Sequence, residues 1–101
     1  TNGAVIDSAM SAVDPDPQAT RKVEDMIIAL GGRRNIRNVD AAALTRLRLE
    51  VNEDSAVNEA ALQEAGVEGV MHLPDHKYHL VVGLNAEQYA NEMKRQLTAV
   101  G

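Results

Sequence analysis

Seven residues, TRLRLEV from Thr45 to Val51, restrict the fold more than any other stretch, because polar and apolar side chains alternate there without a break. A period of two belongs to a β-strand, whose successive side chains point to opposite faces. Leu47, Leu49 and Val51 are therefore expected to face a core, with Arg46, Arg48 and Glu50 facing away from it. A strand with one dry and one wet face fits an antiparallel sheet covered on one side only.

The neighbouring segments supply the cover. Val23, Met26, Ile27 and Leu30 have the i, i+3, i+4, i+7 spacing of an amphipathic helix, and Gly31-Gly32 follows where a left-handed cap is needed. NIRNVD, from Asn35 to Asp40, reads as a short strand. Asn58 can cap a helix running through Ala61, Leu62 and Ala65, with Gly66 just past its end. GVMHL and YHLVVG are strand-like runs separated by Pro74, Asp75, His76 and Lys77, the composition of a hairpin turn. NAEQ then places Asn85 at a cap and Gln88 at the third helical position, a capping box, before the buried line Tyr89, Met93, Leu97, Val100. The expected class is α+β: a four-stranded, mainly antiparallel sheet with three helices on one face, in the order α-β-β-α-β-β-α. Residues 1–17 lack sustained periodicity and read as a flexible linker or an expression remnant, leaving 18–101 as one domain.

Composition narrows the chemistry. The 101 residues contain no cysteine, which excludes disulfides, a thiolate metal site and a cysteine nucleophile. Two tyrosines and no Phe or Trp argue against recognition by aromatic stacking. The net charge of −5 is uneven: Arg33, Arg34, Arg37, Arg46 and Arg48 stand against Asp40 alone, so this segment carries +4 and the remainder −9. A basic spot on an acidic body suits a localised anion or an acidic partner better than a nucleic-acid track, so RRNIRN is not read as a nucleic-acid element. No membrane-length apolar stretch or signal peptide is visible, and a cytoplasmic address is expected.

Three histidines, His72, His76 and His79, surround the expected hairpin turn. Strand alternation puts His72 opposite Met71 and Leu73, and His79 opposite Tyr78 and Leu80, so the two are expected to be neighbours across the hairpin. Asp75 is the only acid near them in the sequence and no familiar ligand spacing is present, so neither a metal site nor a cofactor is expected.

The element order, together with LGGRRNIRNVDAAALTRLRLEV, VNEAALQEAGVEGV and HLVVG, resembles the enzyme IIB domain of the bacterial phosphoenolpyruvate-dependent sugar phosphotransferase system, in its glucose and N-acetylglucosamine family. The likeness covers about residues 19 to 98, and Thr45-Arg46-Leu47-Arg48 is its most specific element. It implies that IIA and IIC domains are partners, that sugar is reached through IIC, and that any membrane association comes through a linked transport domain. In that family a cysteine two residues before the threonine takes a phosphoryl group from a IIA histidine and passes it to sugar held by IIC. The resemblance therefore implies that Thr45, Arg46 and Arg48 bind phosphate, Thr45 by positioning and the guanidinium forks by balancing its charge. Counting back from Thr45 puts Ala43 at the cysteine position, whereas counting forward from Asn35-Ile36 puts Ala42 there, because the loop is one residue longer. Neither side chain can carry phosphate. Two functions from different classes follow: a relay using another acceptor, and a non-catalytic module that docks IIA or a regulator through the Arg46/Arg48 loop.

Overall fold

The computed structural model describes residues 14–99. Helix α1, Ala19–Ala29, leads through a 3-10 turn at Arg33–Asn35 into β1, Ile36–Ala42, and β2, Arg46–Val51. A second 3-10 turn, Asp54–Ala56, precedes α2, Glu59–Glu64; then come β3, Gly69–Leu73, β4, Lys77–Val81, and α3, Ala86–Thr98. The sheet order is β1-β2-β4-β3, and all three strand pairs are antiparallel. The expected α+β class and element order are therefore present.

The alternation of β2 works out as its pattern requires. Leu47, Leu49 and Val51 are fully buried, Arg48 is exposed, and Arg46 and Glu50 are half-buried. On β4 the same face carries Tyr78 and Leu80, both buried. Val23, Met26, Ile27 and Leu30 of the first helix segment close over this layer, with Leu62 from α2 and Ala86, Tyr89, Ala90 and Met93 from α3. A fully buried aliphatic side chain contributes about 1.5–3 kcal/mol, so this shared layer fixes which face of the sheet is dry. Leu97 packs at its margin, and Val100 lies outside the described residues.

Strand β1 runs two residues beyond the expected segment and carries a bulge. Its register with β2 slips between Ile36 and Asn38, leaving Arg37 as the extra residue. Ile36 and Val39 lie three apart and would point to opposite faces of a regular strand; the bulge lets both bury.

The helix ends follow local chemistry, with one correction. Gly31 adopts φ +102°, and the Gly32 N–H donates to the Ile27 carbonyl at 2.8 Å, closing α1 with a Schellman turn. Asn58 caps α2 by accepting from the Ala61 N–H at 3.0 Å. The capping box expected at α3 does not form: Asn85 makes no side-chain cap. Its Nδ2 donates instead to the Asp14 carbonyl at 2.8 Å and to Gln88 Oε1 at 3.1 Å. Gln88 grips the backbone of Asp16 with both ends of its amide, Oε1 accepting from the N–H at 2.7 Å and Nε2 donating to the carbonyl at 3.0 Å. The preceding segment offers an N–H and a C=O in register, and these outcompete the helix's own first turn.

That segment is tied down by Asp16 as well. Its carboxylate accepts from Lys22 Nζ at 2.8 Å, from the Tyr89 hydroxyl, and from the Gln18 N–H at 2.9 Å. Hydrogen bonds from Lys22 first, then from Tyr89 and Gln18, hold its pKa at about 2. Residues 14–17 are thus hydrogen-bonded into the domain, while the rest of the expected linker, 1–13, lies outside the described residues.

Asn35 is the buried polar residue of the described core, 6% exposed. Its Nδ2 donates to the Leu30 and Glu53 carbonyls at 2.7 and 3.0 Å, and its Oδ1 accepts from the Glu53 N–H at 2.8 Å. One amide joins the end of α1 to the loop after β2.

Candidate functional site: a basic turn on the open sheet face

The connection from β1 to β2 consists of Ala43, Leu44 and Thr45 between the paired residues Ala42 and Arg46. Ala43 and Leu44 hold φ of 51° and 66°, left-handed conformations in residues that carry a Cβ. The turn tightens further as the Thr45 N–H donates to the Ala43 carbonyl at 2.7 Å. Its other end is fixed to the sheet, the Thr45 carbonyl accepting from the Val82 N–H at 2.9 Å. The Thr45 hydroxyl lies 3.5 Å from the Ala43 carbonyl, at the outer limit of a hydrogen bond. Leu44 projects from the tip, 82% exposed. Ala42 is half-buried and Ala43 exposed, and neither carries a reactive group.

Arg46 and Arg48 leave this turn on the uncovered face. Across β2 they pair with Ala42 and Asp40 on one side and with Val81 and His79 on the other. Two carboxylates share this face, and each is engaged elsewhere: Asp40 with Lys94 at 3.2 Å, Glu50 with Arg37 at 3.2 Å. Among the described residues Arg46 and Arg48 take part in no ion pair and no side-chain hydrogen bond. Of the other arginines in the basic segment, Arg33 donates to the Ala99 carbonyl at 3.0 Å, well away from the turn. The site therefore presents two uncommitted guanidinium forks above a flat, wet β-surface, suited to bidentate hydrogen bonding with an oxyanion.

The histidines are arranged differently from expectation. The β3–β4 turn contains three residues, Pro74 to His76, because Lys77 pairs with Leu73 rather than staying in the turn. This one-residue difference sets His72 opposite Tyr78 and His79 opposite Met71. His72 and His79 thus lie on opposite faces and are not neighbours. His72 stacks on Tyr78, ring centroids 4.4 Å apart, and its Nε2 is 3.0 Å from Asp54 Oδ2. His76 Nδ1 lies 3.2 Å from the other oxygen of Asp54. Hydrogen bonding from His72, then from His76, lowers the pKa of Asp54 below the usual carboxylate range. Sequence inspection finds no acid for these rings except Asp75; the partner comes from the 3-10 turn after β2. Nothing in the local pattern signals so distant a contact. Among the described residues, no group of three or more His, Cys, Asp or Glu side chains is placed to hold a metal ion.

Comparison with known proteins agrees with this architecture. A solved structure described as one domain of the phosphotransferase system IIabc component from Clostridium difficile superposes with a TM-score of 0.59, at 21% identity, covering 85% of this chain and 86% of that one. That likeness establishes the fold. The family model for phosphotransferase system, EIIB, matches residues 24–58, from α1 through the basic turn to the cap of α2. The N-acetylglucosamine-specific EIIB component of Streptomyces coelicolor is 40% identical over 73 residues, which is 72% of this chain and 92% of that protein. The N-acetylglucosamine-specific EIICBA component of Klebsiella pneumoniae is 38% identical over 79 residues, 78% of this chain. The chain belongs to the EIIB family of the phosphotransferase system. It spans 12% of the length of the Klebsiella pneumoniae relative, in which EIIB is joined to other components. No helix among the described residues is long and apolar enough to cross a membrane.

Proposed function

We propose that this chain serves an N-acetylglucosamine-type sugar phosphotransferase transporter as a divergent EIIB domain, docking a phosphorylated IIA partner through Thr45, Arg46 and Arg48 without accepting its phosphoryl group. One observation carries the proposal: two guanidiniums without partners among the described residues follow directly on a turn in which Ala42 and Ala43, at the family's cysteine position, carry no reactive group. The names of the fused relatives, EIICBA and EIICB components, support IIA and IIC as the partner domains. In this reading the domain sits on the cytoplasmic side beside a membrane transport domain, and sugar choice resides in IIC.

The chemistry is electrostatic. A phosphoryl group on a partner histidine carries charge spread over three oxygens, which match the paired N–H donors of arginine. Arg46 and Arg48 lie on one face, two residues apart, so both reach one group standing over β2. Fixing the Thr45 carbonyl to the Val82 N–H, just past the end of β4, holds the turn against the sheet while Leu44 offers apolar contact at the rim. The exposed leucine in a left-handed conformation is a cost in stability better explained by contact than by folding.

The test is to mix the chain with phosphorylated IIA protein. Docking gives NMR shift changes from Ala42 to Arg48 and no phosphoryl mass gain on the intact chain. The double replacement R46A/R48A should weaken the complex by roughly tenfold or more, with stability changed by less than about 0.5 kcal/mol, since neither side chain supports the core. A stable phosphoryl group on any residue of this chain would overturn docking in favour of a relay. An unchanged spectrum would overturn both.

A further inference from the structure

We infer that His79 is a third, pH-dependent cation of the Arg46/Arg48 surface, so that the site holds doubly charged oxyanions more tightly below neutral pH than above it. The inference rests on the proposed anion site and adds to it a residue and a mode of regulation.

The register places His79 there. It pairs directly with Arg48 across β2 and β4 and stands diagonal to Arg46. Opposite residues of an antiparallel pair have Cα atoms about 4.5–5.5 Å apart, and diagonal ones about 7–8 Å, within reach of an arginine. An oxyanion held by both guanidiniums therefore lies beside the imidazole. His79 is half-buried and, among the described residues, joins no ion pair or side-chain hydrogen bond. The other two histidines are held by Asp54, away from this surface.

The charges around the ring set the direction of the effect. On β2 they are Arg48 and, diagonally, Arg46 and Glu50; Glu50 is held by Arg37. On its own strand Lys77 is the nearest charge, two residues away on the same face. Beyond Arg48 on β1 lies Asp40, held by Lys94. On the far side β3 presents Gly69, Met71 and Leu73, none of them charged. The helices lie against the opposite face. A dianion held by the two guanidiniums favours the cationic form of the imidazole beside it. Anion binding and proton uptake are then coupled, each favouring the other. Histidine is the side chain whose charge changes within the range of about pH 5 to 8, which puts the effect where it can act.

Sulfate is the probe, because it stays a dianion across that range and any pH dependence belongs to the protein. Titrations at fixed ionic strength, followed by NMR at about pH 5.5 and about pH 8, should show affinity falling roughly three- to tenfold, the effect of one added charge at a wet surface. His79→Gln should bind equally at both pH values, at the weaker level, with an otherwise unchanged spectrum. A variant carrying H72Q and H76Q should keep the full pH dependence. Arginine-dependent binding of equal strength at both pH values overturns the role of His79 and leaves the anion site standing. So does a pH dependence that survives in His79→Gln. Absence of saturable binding at either pH overturns the anion site itself.

Discussion

Replacing Asp16 with Asn tests how the leading segment is fastened to the domain. The carboxylate is 12% exposed and accepts from Lys22, Tyr89 and the Gln18 N–H. Its pKa is held at about 2 against an ordinary 3.8. A tenfold change in proton affinity corresponds to about 1.4 kcal/mol, so the ionised form stabilises the folded state by about 2 kcal/mol at neutral pH. Lys22 is 39% exposed and its share is reduced by solvent and salt, so the loss expected for Asp16→Asn at pH 7 is about 1–2 kcal/mol. For a domain of this size that corresponds to a melting temperature lower by roughly 5–10 °C. A depressed folded-state pKa contributes stability that is complete above the unfolded value near 4 and disappears as pH falls through about 2. Urea denaturation of both proteins from neutral pH down to about pH 2 should therefore show two curves that converge in acid. High salt should remove the Lys22 contribution and leave the part due to the Tyr89 hydroxyl. Equal destabilisation at all pH values would refute the electrostatic reasoning and leave only a steric role for Asp16; no destabilisation at pH 7 would show that the segment is not fastened through this carboxylate.

Four further substitutions have outcomes that follow from single positions. Gly31→Ala should cost about 2 kcal/mol or more in denaturation, because φ is +102° and the new Cβ meets Ala56 Cβ and Asn35 Nδ2 at 2.8 Å; Gly32→Ala, strained at φ +97° but in open space, should cost about 1 kcal/mol. Asn35→Ala should cost about 3 kcal/mol, since it orphans the Leu30 carbonyl and the Glu53 N–H beneath the first turn, and equality with a surface substitution would contradict that account. Leu44→Gly should raise stability by about 0.5–1 kcal/mol by relieving its left-handed strain, while weakening capture of phosphorylated IIA in a binding titration; a loss of stability would mean that the turn is supported by the exposed side chain.

What the sequence revealed depended on the range of the interaction responsible. The stripe of α1, its glycine stop, the Asn58 cap and the alternation of β2 are short-range patterns, and each appears where the residues put it. The arginines were legible because their neighbours Leu47 and Leu49 had to be buried. The β3–β4 hairpin failed by one residue: Pro74 to Lys77 reads equally well as a four-residue turn, and pairing Lys77 with Leu73 moved His72 to the other face. The capping box at Asn85 and Gln88 failed for a different reason. Their side chains had a competing partner 71 and 72 residues away, which no local motif can announce. Asp54 reached His72 and His76, and Lys94 reached Asp40, by the same kind of long-range contact.

The bulge at Arg37 has an effect beyond the core it serves. Strand β1 is an outer strand whose free hydrogen-bonding side pairs with no other strand among the described residues, a natural place for a foreign strand to attach. An inserted residue spoils the even spacing such an attachment requires, and the exposed Arg37 and Asp40 bring charge to the same border. The uncovered face of the sheet is in this way left open to contact while its rim is guarded against strand addition.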